Sequence, residues 1–204
     1  MYTYTYILSP SHFLGTAGAD FLLSVTAASG RTIEAIPYSQ ISVGSRVFTD
    51  RDYSFNSIGD YSARTFYIRG PNDDKNTPAA SLQWTITVNV PVIVYLDFYD
   101  GQETMGFAQW NVGWKVSSMS ATFFACQGVC GPGVVYEKYF ASGEIALYGN
   151  DGNGYGTYLA FVARAHGGNT TNTEIRILTL ILKHAKTHFW RTHCWRTHFW
   201  KTHC

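Results

Sequence analysis

Short runs of alternating apolar and polar residues recur along the chain, separated by Gly, Pro, Asn and Asp. Alternation with a period of two is typical of half-buried strands. The pattern predicts strands at residues 21–26, 32–36, 53–55, 65–69, 82–88, 92–99, 121–125, 134–140, 144–148, 158–165 and 174–182. An opening strand is also predicted, because Tyr2, Tyr4, Tyr6 and Leu8 share one face. No helical pattern alternates with these strands, so we expect an all-β fold, an antiparallel β-sandwich of the jelly-roll type.

The dipeptides Asp100-Gly101, Asp151-Gly152 and Asn153-Gly154 are turn signals. Residues 151–156 also have the oxygen content of a metal-binding loop. Because Asp-Gly and Asn-Gly are strong hairpin signals, we interpret residues 151–154 as the turn of a hairpin.

Composition narrows the class of protein. Of 204 residues, 46% are hydrophobic, 16% aromatic and 14% charged, against roughly 25% charged in an average domain. An all-helical bundle is excluded, and no apolar run reaches the roughly 18 residues of a transmembrane helix. The first residues lack the basic and apolar regions of a secretory signal, so an exported form would have lost its leader or carry it elsewhere.

The charge divides the chain into two parts. Residues 183–204 hold five basic residues and no acidic one, which leaves ten basic against 14 acidic residues in the rest. We therefore divide the chain into a β-sandwich domain at 1–182 and a basic aromatic tail at 183–204. The tail is either a solvated end or a site for an anionic partner, namely nucleic acid, a lipid surface or the acidic body of the protein.

A resemblance to a known kind of module covers residues 47–164. It rests on residues 48–55, 67–75, 82–85, 94–100, 136–140 and 143–150, together with Trp110 and Trp114. These residues resemble a β-sandwich module that recurs in secreted and cell-surface proteins, often beside carbohydrate-active or adhesive domains. The resemblance implies an extracellular, non-catalytic sandwich. The Cys126–Cys130 turn and the tail depart from that module.

The motifs of common enzymes are missing from the sequence. It has no Gly-x-Ser-x-Gly, His-Glu-x-x-His or phosphate-binding loop, and His12 and His166 are the only histidines before the tail. A glycosidase needs only two carboxylates, which Asp97, Asp100, Glu103, Glu137 and Glu144 supply in principle. Acidic residues are too common for this to decide, so we expect no enzyme.

Aromatic residues are the candidates for a carbohydrate site, because sugar rings pack on flat apolar faces. Trp84 alternates with Leu82 and Ile86 and is predicted in the core. Trp110 and Trp114 lie in an irregular segment and are expected to be exposed. The predicted carbohydrate-binding residues are Trp110, Trp114, Tyr99 and Tyr155.

Other residues have a structural and a functional interpretation. Asp50, Arg51 and Asp52, with Asp73 and Asp74, suit structural ion pairs, although Asp73 and Asp74 are also candidate Ca²⁺ ligands. Cys126 and Cys130 form a disulfide only if their Cα atoms lie within about 7 Å; otherwise they are free thiols. Asn169 begins a glycosylation sequon, which requires a eukaryotic secretory pathway.

The tail repeats every five residues from Lys186 onward. A slipped genetic repeat produces such a sequence without selection for structure. A folded-back chain or several chains together would instead gather ligands for Zn²⁺ or Cu. The candidate metal ligands are His188, His193, Cys194, His198, His203 and Cys204. No cofactor is otherwise expected.

The function that we expect from the sequence is structural or adhesive, outside the cell. Residues 174–183 are apolar and β-prone, so they need a partner strand, and the tail has the opposite charge to the body. We expect a homo-oligomer or filament that assembles through this strand and tail. The alternative is a carbohydrate-binding module that uses exposed aromatic residues.

Overall fold

A computed structural model describes residues 21–61, 65–99, 101–126, 128–152 and 156–165. The described chain contains twelve strands and short 3-10 turns. The strands are β1 (Leu22–Ala27), β2 (Glu34–Pro37), β3 (Phe55–Ser57), β4 (Thr65–Arg69), β5 (Leu82–Val88), β6 (Val92–Asp97), β7 (Lys115–Val116), β8 (Phe123–Cys126), β9 (Gly128–Cys130), β10 (Val135–Phe140), β11 (Gly143–Tyr148) and β12 (Leu159–Arg164).

The strands form three antiparallel sheets. The large sheet has the order β2-β4-β12-β6-β10-β7, and two three-stranded sheets have the orders β1-β5-β11 and β3-β8-β9. The prediction of an all-β antiparallel fold is therefore confirmed. The opening strand and the strand at 174–182 lie outside the described residues, as do the boundary at residue 182 and the tail.

Side-chain alternation gives the large sheet two buried faces. In β12, Ala160 and Val162 pack on the face toward β1-β5-β11, while Leu159 and Phe161 pack on the face toward β3 and β8. Each fully buried apolar side chain contributes roughly 1.5–3 kcal/mol, so covering both faces stabilises the central strands most. The result is a layered arrangement with the large sheet in the middle.

We call the core between the large sheet and β1-β5-β11 the first core, and the core on the opposite face the second core. Trp84 is the largest side chain in the first core and is 1% exposed, as its position in an alternating strand predicts. Its indole N–H donates to Asp74 Oδ2 at 2.8 Å, and its ring meets Tyr158 edge to face. A Cβ at Gly70 would lie 2.2 Å from Trp84 Cζ2, so glycine is required where β4 ends against this ring.

The hairpin interpretation of residues 151–154 is wrong. β11 belongs to the small sheet and pairs with β5, whereas β12 pairs with β4 and β6 in the large sheet. The segment between β11 and β12 passes from one layer to the other. Two buried side-chain amides donate hydrogen bonds to it. Gln83 Nε2 donates to Thr157 Oγ1 at 2.8 Å, and Gln102 Nε2 donates to the Gly156 carbonyl at 2.5 Å. A local turn signal predicts a bend but cannot show which sheet receives the next strand.

No helix in the described part of the chain is long and apolar enough to cross a membrane.

Candidate functional site

An aromatic cluster occupies the corner between the end of β11 and the outer strands of the large sheet. It is built by the segment that follows β6, whose 3-10 turn at Gly106–Gln109 buries Phe107. We call this cluster the aromatic corner; its members are Phe107, Trp110, Trp114, Tyr136, Phe140 and Tyr148.

Phe107 is the centre of the aromatic corner. Its ring lies 4.9 Å from Trp110, 5.8 Å from Trp114 and 4.9 Å from Tyr136, each at a steep angle. Edge-to-face pairs of this kind are stabilising beyond the area that they bury. The buried Phe107 therefore holds the two tryptophans at defined positions on the core.

Trp110 is fixed on three sides. Its indole N–H donates to the Gly149 carbonyl at 2.8 Å, and its ring lies 5.9 Å from Tyr148. Trp110 is half-buried rather than exposed. The prediction that Trp110 is exposed is therefore wrong, because the segment that contains it packs back onto the core.

Trp114 lies within the segment Asn111–Val116, and the prediction that it is exposed is corrected as for Trp110. It is half-buried, but Val112 and Val116 beside it are 81% and 64% exposed. The rings of Trp110 and Trp114 are 6.0 Å apart at 80°, so the two tryptophans form no common flat platform. Trp114 instead stands beside Phe140, 5.9 Å away.

Lys138 adds a positive charge to this corner. Its Nζ donates to the Val112 carbonyl at 2.9 Å and lies 5.9 Å from the centre of the Trp114 ring. The sequence analysis did not select Lys138. Alternation in β10 is the signal that could have found it, because Tyr136, Lys138 and Phe140 occupy one face of the strand.

The remaining predicted carbohydrate-binding residues do not join the corner. Tyr99 is 6% exposed and packs edge to face on Phe124, on the opposite side of the large sheet. Burial raises the pKa of its hydroxyl. The prediction that Tyr99 forms a platform for a ligand is therefore wrong. Tyr155 lies outside the described residues.

The acidic candidates hold the fold together. Asp74 Oδ1 accepts from Arg31 at 3.0 Å, and Asp73 forms an ion pair with Arg51. Asp50 accepts from the backbone N–H groups of Asn72 and Asp73, at 2.7 and 3.0 Å. These contacts agree with the structural ion pairs that the sequence predicts for these acidic residues. Within the described ranges, no group of three or more His, Cys, Asp or Glu is placed to hold a metal ion.

Two carboxylates share the other face of the large sheet but not an open cleft. Asp97 lies opposite Val135, two positions from Glu137 on the neighbouring strand. Asp97 is only 2% exposed, and burial raises its pKa to about 7. Partial burial opposes ionisation of Glu137, but hydrogen bonds from Ser117 and Lys115 lower its pKa overall.

Cys126 and Cys130 are joined by a disulfide, with their Cα atoms 5.9 Å apart. It closes the hairpin of β8 and β9 and packs beside the second core. Asn169 and the six candidate metal ligands of the tail lie outside the described residues.

No family model and no curated protein matches this sequence. Among solved structures, the chain is similar to a β-glucuronidase from glycoside hydrolase family 2, at 16% identity and a TM-score of 0.56. The match covers 72% of this chain and 15% of that chain. A GH138 enzyme targeting pectin rhamnogalacturonan II also matches, at 12% identity and a TM-score of 0.41, over 71% of this chain and 16% of that one. The first likeness shows a shared β-rich fold.

Proposed function

We propose that this protein is a non-catalytic carbohydrate-binding module with a jelly-roll β-sandwich fold, and that the aromatic corner is its ligand site. The observation that carries the proposal is Trp114, a half-buried indole that packs against the core beside the exposed Val112 and Val116. Flat aromatic faces with polar groups around them suit the alternately apolar and hydroxylated faces of sugars. The likeness to part of a glycosidase supports the choice of carbohydrate only as far as fold, because fold does not imply function.

Trp114 is the better platform of the two tryptophans. Trp110 has given its N–H to Gly149 and is enclosed by Phe107 and Tyr148. Trp114 is half-buried and has exposed residues on both sides in the sequence, so we propose that part of its indole can contact a ligand. We therefore assign the stacking contact to Trp114 and the support of that ring to Phe107.

Two of the five candidate carboxylates, Asp97 and Glu137, are engaged within the fold, which supports a binding role over hydrolysis by this pair. A glycosidase needs both carboxylates to reach one glycosidic bond. Asp97 is enclosed by Tyr61 and Thr122, and both oxygens of Glu137 are engaged by Lys115 and Ser117. Neither group is free to meet a substrate.

The disulfide supports a location outside the cytosol. Disulfides persist in oxidising compartments and are rare where thiols are kept reduced. Together with the resemblance to modules of secreted and cell-surface proteins, the Cys126–Cys130 bond favours an extracellular protein.

The test of the carbohydrate proposal is the Trp114→Ala variant. We expect wild-type protein to bind one class of oligosaccharide in a glycan screen and the variant to lose tenfold or more in affinity. Tyr139→Ala is the matched control, because Tyr139 is an aromatic residue 61% exposed on the opposite face of β10. The control is expected to bind normally. Equal binding by wild type and Trp114→Ala would remove the aromatic corner as the site.

Self-association is a second proposal, favoured by the charge asymmetry of the sequence. The part of the chain before residue 183 is acidic and the remainder is basic, so one copy can attract the tail of another. In this proposal the protein is structural or adhesive, and its particle mass in solution is the test.

A further inference from the structure

The ammonium group of Lys138 lies among the rings of the aromatic corner. It is 5.4 Å from the centre of the Phe140 ring and 5.9 Å from that of Trp114. A cation at such distances is attracted by the negative face of an aromatic ring. Lys138 is half-buried, and the hydrogen bond of its ammonium group to the Val112 carbonyl lies at an exposed position.

No carboxylate in the described part of the chain is paired with Lys138. The nearest acid on its own strand, Glu137, points to the opposite face, where it binds Lys115 Nζ at 2.9 Å. The hydrogen bond to Val112 uses one of the three N–H groups that a lysine carries. Two further N–H donors and a full positive charge therefore remain beside the rings of Trp114 and Phe140.

We propose that the ligand of the aromatic corner is an acidic saccharide, whose carboxylate or sulfate binds Lys138 while a sugar face packs on Trp114. This inference rests on the proposed carbohydrate-binding function and names its ligand class. A charge-assisted hydrogen bond is about twice as strong as a neutral one, so the anion adds to the stacking contact. A neutral sugar would bury the ammonium without a counter-charge, which opposes binding.

The contact with Val112 gives Lys138 a structural role as well. A Cβ at Gly113 would lie 3.4 Å from Lys138 Nζ, and Gly113 has a φ of +79°. The turn at Asn111–Trp114 thus closes directly over the lysine. A purely structural lysine would support the turn for every ligand equally, whereas an anion-binding lysine distinguishes charged from neutral ligands.

The experiment compares an oligogalacturonate with its methyl ester, which has the same sugar rings and no charge. We expect wild-type protein to bind the acid about fivefold to tenfold more tightly than the ester at low salt, with a smaller ratio at high salt. The Lys138→Gln variant should bind acid and ester equally, with an ester affinity no lower than that of the wild type, because no unpaired ammonium is buried. Lys138→Arg keeps the charge and should keep the preference.

Lys115→Gln is the matched control. It also removes one positive charge, but Lys115 lies on the opposite face of the strand pair β7–β10, beside Glu137. It should retain the preference for the acid. A sulfated galactan is the third probe: preference for it over the uronate, lost in Lys138→Gln, would identify sulfate as the anion.

Each failure has its own meaning. Equal affinity of the wild type for acid, ester and sulfated galactan would overturn the acidic ligand and leave the carbohydrate site standing. A preference that persists in Lys138→Gln would remove Lys138 as its cause. If Lys138→Gln unfolds, the salt dependence of wild type and Lys138→Arg still decides the matter. Absence of binding to every saccharide in the screen would instead reject the proposed function.

Discussion

Asp97 is a carboxyl group that the fold removes from water. Its Oδ2 accepts from the Thr122 backbone N–H at 2.7 Å and from the Tyr61 hydroxyl at 3.2 Å. These hydrogen bonds favour the charged form, but burial outweighs them and raises the pKa from 3.8 to about 7. The same burial raises the pKa of Tyr61. At the residue scale, the raised pKa of Asp97 therefore leads to a testable prediction.

The pH dependence of stability follows from that shift. Because the folded pKa lies above the unfolded value, the contribution of Asp97 to stability is fully present below about pH 4 and is lost as the pH rises through 7. Three pKa units correspond to about 4 kcal/mol. We expect the Asp97→Asn variant, which cannot ionise, to gain stability relative to wild type between pH 5 and pH 8, as measured by urea unfolding.

The matched control for this prediction is Asp52→Asn. The Asp52 side chain is 99% exposed and pairs with Arg46, so Asp52→Asn makes the same substitution without changing the interior. A constant difference between wild type and Asp97→Asn across this pH range would contradict the assigned pKa.

At the element scale, the β8–β9 hairpin is short and is cross-linked by a disulfide. Phe124 in β8 enters the second core between Phe48, Tyr53 and Tyr99. β3 pairs with the other edge of β8. The Cys126–Cys130 bond therefore restrains the end of β8. The other residues of β8 hold the sheet β3-β8-β9 against the large sheet.

We expect loss of this disulfide to lower the free energy of unfolding by about 2 kcal/mol, the loop-closure value for so short a loop. The Cys126→Ser/Cys130→Ser variant, compared with wild type by chemical unfolding, measures it. Wild type under reducing conditions should show the same loss. Unchanged stability in both samples would show that β3 and the core hold the hairpin without the bond.

At the scale of the whole molecule, the large sheet has to be covered on both faces. One cover is the sheet β1-β5-β11, and the other is built from β3, β8, β9 and the residues around Phe48. The edge strands β2 and β7 are short, and β2 ends at Pro37, features that discourage pairing with another chain. Self-association through these two edges is thereby disfavoured, and residues 174–204 remain the predicted means of assembly.

Light scattering on the full chain measures that assembly directly. We expect oligomers at low salt that dissociate at high salt, because the attraction between acidic body and basic tail is screened. A chelator should dissociate them further if histidines and cysteines of the tail share a metal. A monomer at all salt concentrations would reject self-association and leave carbohydrate binding as the function to pursue.

Much of the fold follows from local pattern. The strands Thr65–Arg69 and Leu82–Val88 have the predicted bounds, since alternating β-branched and aromatic residues end there at Gly, Asn or Pro. Burial of Trp84 follows from the same alternation. The two-residue strand β7 and the short β9 have too few residues to produce a pattern, so the sequence analysis missed them.

The candidate site was only partly predictable. The sequence identified Trp110 and Trp114 as aromatic residues in an irregular segment, but it could not show that Phe107 turns that segment onto the core. Lys138 comes near Trp114 only because β10 lies beside the segment in space, 24 residues further along the chain. The prediction for Tyr99 was wrong because both faces of the strand at 92–99 are covered by other layers, which a strand pattern alone cannot show.

The sequence by itself determined the fold class and most of the longer strands, because side-chain pattern and turn chemistry act between residues close in the chain. Only the tertiary structure decided which sheet receives each strand, that β11 and β12 belong to different layers, and that Asp97 lies in the interior. Those outcomes depend on contacts between residues distant in sequence. They are fixed by the requirement that both faces of the large sheet be covered and that buried polar groups such as Asp74 and Asp97 be hydrogen-bonded.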